Sequence, residues 1–183
     1  YGDSGEPLAP AEYYQYLAAT LAHGHSAILG YSYYPPLNRM IHYYATLMAL
    51  QPEYLTDTVV EIMRHDGERY LTTSEALQRG VLETGRVRIR YSRGLTVWVN
   101  YHGSERWQVE VNGKLYTLPP WGFVAEKPGE LLAFSAELDG HRVDYARCPR
   151  WTYLSGCGEQ VQYDGISTDG AVWVRYEGGG TRV

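Results

Sequence analysis

The sequence predicts an α+β chain in which a short helical α/β segment is followed by an antiparallel β-sandwich, and three observations predict it. Apolar residues recur at helical spacing only in the first 51 residues. From Gly85 the period changes to two, with Val87, Ile89 and Tyr91 alternating with Arg86, Arg88 and Arg90. Asn112-Gly113 then sits between two alternating runs, and that dipeptide favours the positive φ angles of a two-residue type I′ hairpin. Such a turn sets Val111 opposite Lys114, Val109 opposite Tyr116 and Trp107 opposite Leu118, leaving Gln108, Glu110 and Thr117 on the other face.

Residues 1–9 carry two glycines and a proline without periodicity and read as loop. Pro10 takes the first position of a helix, with Glu12 in its first turn. Tyr14, Leu17, Ala18 and Leu21 form its buried stripe, and His23-Gly24 ends it. The run His25 to Tyr31 is short and apolar and is expected as a buried strand. After SYYPP a second helix starts near Leu37, with Leu37, Ile41, Tyr44 and Met48 on its inner face and Gln51-Pro52 at its end. One strand with two helices cannot satisfy its own backbone groups, so this segment either docks on the sheet that follows or is the cut end of a barrel.

The run TVVEIMRH, within residues 54–65, fits helix or strand and is read as a short helix entering an extended segment. Thr72-Thr73-Ser74-Glu75 fits a capping box, which predicts a helix over 73–79 stopped by Gly80. Beyond the strands around Val87 and Val97, further strands are expected at 107–111, 114–118, 121–126, 131–136, 141–146, 151–154 and 171–176, a spacing typical of a sandwich. The boundary is placed between residues 84 and 85, giving a 1–84 segment and an 85–183 sandwich.

Composition narrows the function classes. Against 2 phenylalanines stand 18 tyrosines and 5 tryptophans, rings that bury an apolar face while keeping a polar edge. A net charge of -5 with mixed signs offers no field for a phosphate backbone, so no nucleic acid is expected as a partner. No apolar run approaches the roughly 20 residues that span a bilayer, so no membrane helix is expected. Without an initiator methionine or a basic and apolar leader, the chain reads as a piece of a longer one. Cys148 and Cys157 share a Gly- and Pro-containing segment, and a bridge would close a loop of about ten residues worth on the order of 3 kcal/mol. Whether it forms stays open, and an extracytoplasmic location is favoured.

The phrases VWVN at 97–100 and LPPWGFVA at 118–125, around a Trp-containing hairpin, resemble the β-sandwich that follows the catalytic barrel in many glycoside hydrolases. AHGHSAILGY at 22–31 and YYATLMALQPEYL at 43–55 are similar to the last strand and last helix of such a barrel, nearest to enzymes related to the endo-α-N-acetylgalactosaminidases. The resemblance implies the C-terminal fragment of a glycoside hydrolase-like protein, with residues 1–84 the remnant of a (β/α) barrel and the missing N-terminal portion as its partner. Such enzymes need two carboxylates about 5 to 9 Å apart. None is transferable here, so no catalytic residue is assigned and the fragment itself is expected to be inactive.

In a barrel the loops at 1–9 and 31–36 would lie on the active face, which makes Asp3, Glu6, Tyr31, Tyr33 and Tyr34 candidate carbohydrate contacts. Trp98 and Trp173 alternate with valines; as an exposed coplanar pair they would form a sugar platform and make the sheet a noncatalytic carbohydrate-binding module, whereas helices over that face would bury them. A purely structural interaction domain is a third reading. His23 and His25 lack a third ligand, so no metal and no cofactor is expected. No GxSxG elbow is present, GDSG at 2–5 stands without the His and Asp of a protease, and Gly178-Gly179-Gly180 precedes no helix and reads as a flexible tail.

Overall fold

The computed structural model describes residues 10–27, 37–177 and 180–182. The loops expected at 1–9 and 31–36, and most of the strand expected at 25–31, lie outside those residues, and the described part of that strand, 25–27, has no regular structure. Two helices, α1 (Pro10–His23) and α2 (Leu37–Tyr54), precede β1 (Val59–His65), β2 (Tyr70–Thr72), α3 (Thr73–Gln78) and a 3-10 turn, Leu82–Thr84. There follow β3 (Arg86–Tyr91), β4 (Thr96–Asn100), β5 (Trp107–Val111), β6 (Lys114–Leu118), β7 (Phe123–Lys127), β8 (Leu131–Leu138) and β9 (His141–Cys148). The chain closes with β10 (Trp151–Ser155), β11 (Val161–Tyr163), β12 (Ile166–Thr168), β13 (Ala171–Glu177) and β14 (Gly180–Arg182).

One antiparallel sheet dominates, in the order β14-β13-β10-β9-β8-β7-β4-β3-β1-β2, and two hairpins lie over one of its faces. The first is β5–β6, tied to the sheet where Thr117 pairs with Glu137 of β8. The second is β11–β12. Side chains of both hairpins, among them Trp107, Val109, Tyr116, Leu118 and Val161, share a core with Val124, Phe134, Val143 and Tyr145 of the sheet. On the opposite face α1 and α2 bury Leu17, Leu21, Leu47 and Leu50 against Val87, Val97, Phe123 and Tyr153. The architecture is therefore a helix layer, a central sheet and a partial second β layer. Residues on both sides of position 85 contribute to it, because β1 pairs with β3 along Ile62↔Ile89 and Arg64↔Val87.

Local sequence explains most elements. Asn112 and Gly113 have φ of 50° and 76°, the type I′ values, and the β5–β6 register is the one the turn dictates, from Val111↔Lys114 to Trp107↔Leu118. Thr72 caps α3 in a full capping box: its hydroxyl accepts from the Glu75 N–H while the Glu75 carboxylate accepts from the Thr72 N–H. Gly24, at φ 64°, follows the last turn of α1. Along β3 the valine, isoleucine and tyrosine are buried, and the arginines on the other face pair with carboxylates: Arg86 with Glu105 and Arg88 with Glu61, each at 2.7 Å.

Four expectations change. TVVEIMRH is strand, not helix entry: Val59 and Ile62 lie across from Tyr91 and Ile89, and β-branched residues suit that pleated position. Helix α2 extends past Gln51 to Tyr54, since Pro52 sits in the last turn. Its inner face is also the opposite one, with His42, Tyr43, Thr46, Leu47 and Leu50 buried while Ile41, Tyr44 and Met48 point outward. The chain has apolar residues all round this helix, so periodicity alone could not choose a side. Finally, Gly180 belongs to β14, where it pairs with Glu177, and is not tail.

Candidate functional site

The phrases VWVN and LPPWGF meet at one buried amide. Asn100, the last residue of β4, is fully buried, and its Nδ2 donates to the carbonyl oxygens of Glu105 at 2.7 Å, Leu118 at 3.1 Å and Pro119 at 2.9 Å. Its backbone N–H donates to the Gly122 carbonyl at 2.9 Å. The corner it holds is tight: Gly122 N–H reaches back to the Pro119 carbonyl, and a Cβ at Gly122 would lie 2.8 Å from the Ser135 carbonyl oxygen. Trp121 adopts φ 61°, uncommon for a bulky residue, and sets its ring edge-on to Tyr101 at 4.9 Å.

A second polar hub lies between the helix layer and the sheet. Asp144 of β9 is 2% exposed and lies beneath the helices, while the Asp57 side chain, 3% exposed, is covered at the turn after α2. β9 is covered on both faces, with Val143 and Tyr145 toward the hairpins, which turns Asp144 toward the helices. Its Oδ2 accepts from the Tyr14 hydroxyl of α1 at 2.7 Å and from the Cys157 thiol at 3.2 Å, and lies 3.4 Å from His42 Nε2 of α2. Tyr14 OH is also 3.5 Å from Cys157 Sγ. The Arg142 guanidinium stacks 3.7 Å above the Tyr14 ring, donates to the Ser135 hydroxyl at 3.2 Å and reaches the Pro120 carbonyl, so it joins this hub to the proline corner.

The hub is buried at Asp144 and His42 and open at its edge, where Cys157 is an exposed residue whose thiol turns inward onto Asp144. Burial, reinforced by Asp144, pushes the Cys157 thiol up to about 12 and moves Tyr14 well above the usual tyrosine range. Burial likewise holds His42, 4% exposed, below its ordinary value, Asp144 opposing that and Arg142 adding to it. Neither ring nitrogen of His42 has a hydrogen-bond partner. The carboxylate stands at the centre, with the thiol donating to it directly. That order differs from a cysteine nucleophile activated by an imidazole, and a thiol held protonated is a poor nucleophile.

Of the residues singled out by sequence, Asp3, Glu6, Tyr31, Tyr33 and Tyr34 lie outside the described residues. Trp98 and Trp173 are placed on opposite faces. Trp98 packs on the hairpin side, across from Arg88, whereas Trp173 packs on the helix side against Trp151 at 4.6 Å and Tyr44 at 6.1 Å. The pair does not make one platform, and the helix layer accounts for the burial of Trp173. His23 and His25 stack at 5.5 Å, and no group of three metal-ligating side chains occurs among the described residues. Both cysteines are free. The reason is register: Cys148 pairs with Trp151, while Cys157 follows Ser155, which pairs with Asp144 four residues back along β9, a span of about 13 Å.

Sequence reasoning missed Asp144, His42, Tyr14 and Cys157 as a group. One signal was available, an acid in the middle of VDYA within a strand of both-face burial, which demands partners. Comparison with protein-family models, curated proteins and solved structures returns no match.

Proposed function

We propose that this chain is the noncatalytic supporting part of a glycoside hydrolase-like protein, its sheet bracing a helix layer against a catalytic (β/α) unit supplied by residues N-terminal to Tyr1. The observation that carries this reading is the outer side of the helix layer. Ile41, Tyr44 and Met48 of α2, with Tyr16 of α1, are between 38% and 46% exposed, although the inner sides of both helices are already buried in the main core. A helix at a protein surface ordinarily turns charge outward, and one that is apolar all round is ordinarily covered on both sides. The Asn100 amide adds support, because it makes VWVN and LPPWGF, the phrases behind the resemblance, parts of one folded unit.

The test compares the chain alone with a longer protein that includes the residues encoded upstream, using aryl glycosides as substrates. Activity is expected only in the longer protein. Ile41→Glu with Met48→Glu should change the melting of the isolated chain by less than about 0.5 kcal/mol, as exposed positions do, yet destabilise the longer protein. Hydrolysis by the chain alone overturns the reading. So does an upstream sequence without paired carboxylates at successive strand ends.

A further inference from the structure

We propose that Asp144 and His42 form an acid-released latch that holds α1 and α2 on the sheet. Three separate segments converge on one oxygen of Asp144: Tyr14 from α1, His42 from α2, and Cys157 from the turn after β10. Asp144 is the carboxylate buried beneath the helices among the described residues, whereas the other ion pair from α2 to the sheet, Glu53 with Lys127 of β7 at 3.1 Å, lies at the partly exposed end of the helix. Among the described residues the titratable or charged groups around the imidazole are Tyr13 and Tyr14 on α1, Asp144 and Arg142 on β9 and Tyr153 on β10, with Cys157 sharing the Asp144 oxygen. This attachment is independent of what covers the outer side of α2.

The direction of the pH effect follows from burial. His42 is neutral in the folded layer because desolvation disfavours its cation, with Arg142 acting in the same sense and Asp144 against it. In the detached layer the ring meets water and recovers its ordinary value near 6.5. Between those two values the detached form binds more protons, so attachment is complete above about pH 6.5 and weakens as pH falls below it. Strands β7 to β9 hold no buried histidine among the described residues, and His65, which partial burial also holds below its ordinary value, lies on β1 beside the edge strand, so the centre of the sheet should remain paired while the helices let go.

Hydrogen exchange followed by mass spectrometry at pH 7.5 and pH 5, corrected for intrinsic rates, tests this on the chain as it is. Amides of α1 and α2 should lose protection at least tenfold relative to those of β7 to β9 on acidification, and His42→Leu should abolish that difference. Helices and sheet losing protection together, or neither losing any, overturns the latch. A His42→Leu protein that still releases its helices at pH 5 overturns the role of the imidazole. If that variant does not fold, the wild-type comparison of helix and sheet decides alone.

Discussion

Asn100 and Asp144 are both buried polar hubs fixing one part of the chain to another, and they solve the problem with different chemistry. Asn100 is neutral and binds backbone carbonyls at residues 105, 118 and 119, all within 19 positions of itself. Asp144 binds side chains at positions 14 and 157 and lies 3.4 Å from the imidazole at position 42, all three of them titratable residue types. The first hub fixes the proline corner at any pH at which the chain folds. The second fixes the helix layer conditionally, because a change of protonation at any partner alters the energy of the whole group. Arg142 touches both, through the Pro120 carbonyl and the Tyr14 ring, so the two regions are in mechanical contact without sharing a titration.

The sharpest way to break the comparison is through Cys157. With its thiol pushed up to about 12, alkylation by iodoacetamide at pH 8 should run on the order of a thousandfold slower in the folded protein than in the unfolded chain. Peptide mapping reads it, and a rate near that of the unfolded chain would show that the thiol does not sit against Asp144. Next in size, Asp144→Ala should cost about 4 kcal/mol at pH 7.5, since Tyr14 and Cys157 both lose a charged acceptor, and no less at pH 5, because Asp144 is the group that opposes the depression of His42. Urea denaturation at the two pH values checks this. Asn100→Ala should cost about 3 kcal/mol, because the carbonyls of Glu105, Leu118 and Pro119 all lose the amide donor and Pro119 keeps only the Gly122 N–H, and the cost should be equal at both pH values. A pH-dependent Asn100→Ala would erase the distinction between the hubs.

The two regions also differ in how far they could be read from the chain. The corner was visible because its parts are local: an NG turn, alternating strands and a proline pair lie within 26 residues of one another, from Asn100 to Ala125. The same locality made the Thr72 capping box and the Arg/Val alternation of β3 legible. The Asp144 hub was not visible, because three of its contributors are single polar residues inside apolar elements, brought together only by packing. The inner side of α2 was misread for a related reason: Ile41, Tyr44 and Met48 are as apolar as Tyr43, Leu47 and Leu50, and only the sheet decides between them. TVVEIMRH is followed by Asp66-Gly67, a turn signal that its mixed polar and apolar pattern outweighed, and β11 and β12, three residues each, are too short to show a period.

The contact between Tyr14 and Asp144 spans 130 positions. During synthesis α1 is among the first described segments to emerge, and its anchor on β9 is among the later ones. Strands that pair with their chain neighbours, such as β7, β8 and β9, can zip as they appear, and α1 and α2 can begin to cover Val87 and Val97 early, but their polar anchor cannot form until residue 144 has been made. The polar tie that orients the helix layer is thus made after its first apolar partners, and in the interval between them the layer is held by apolar burial alone.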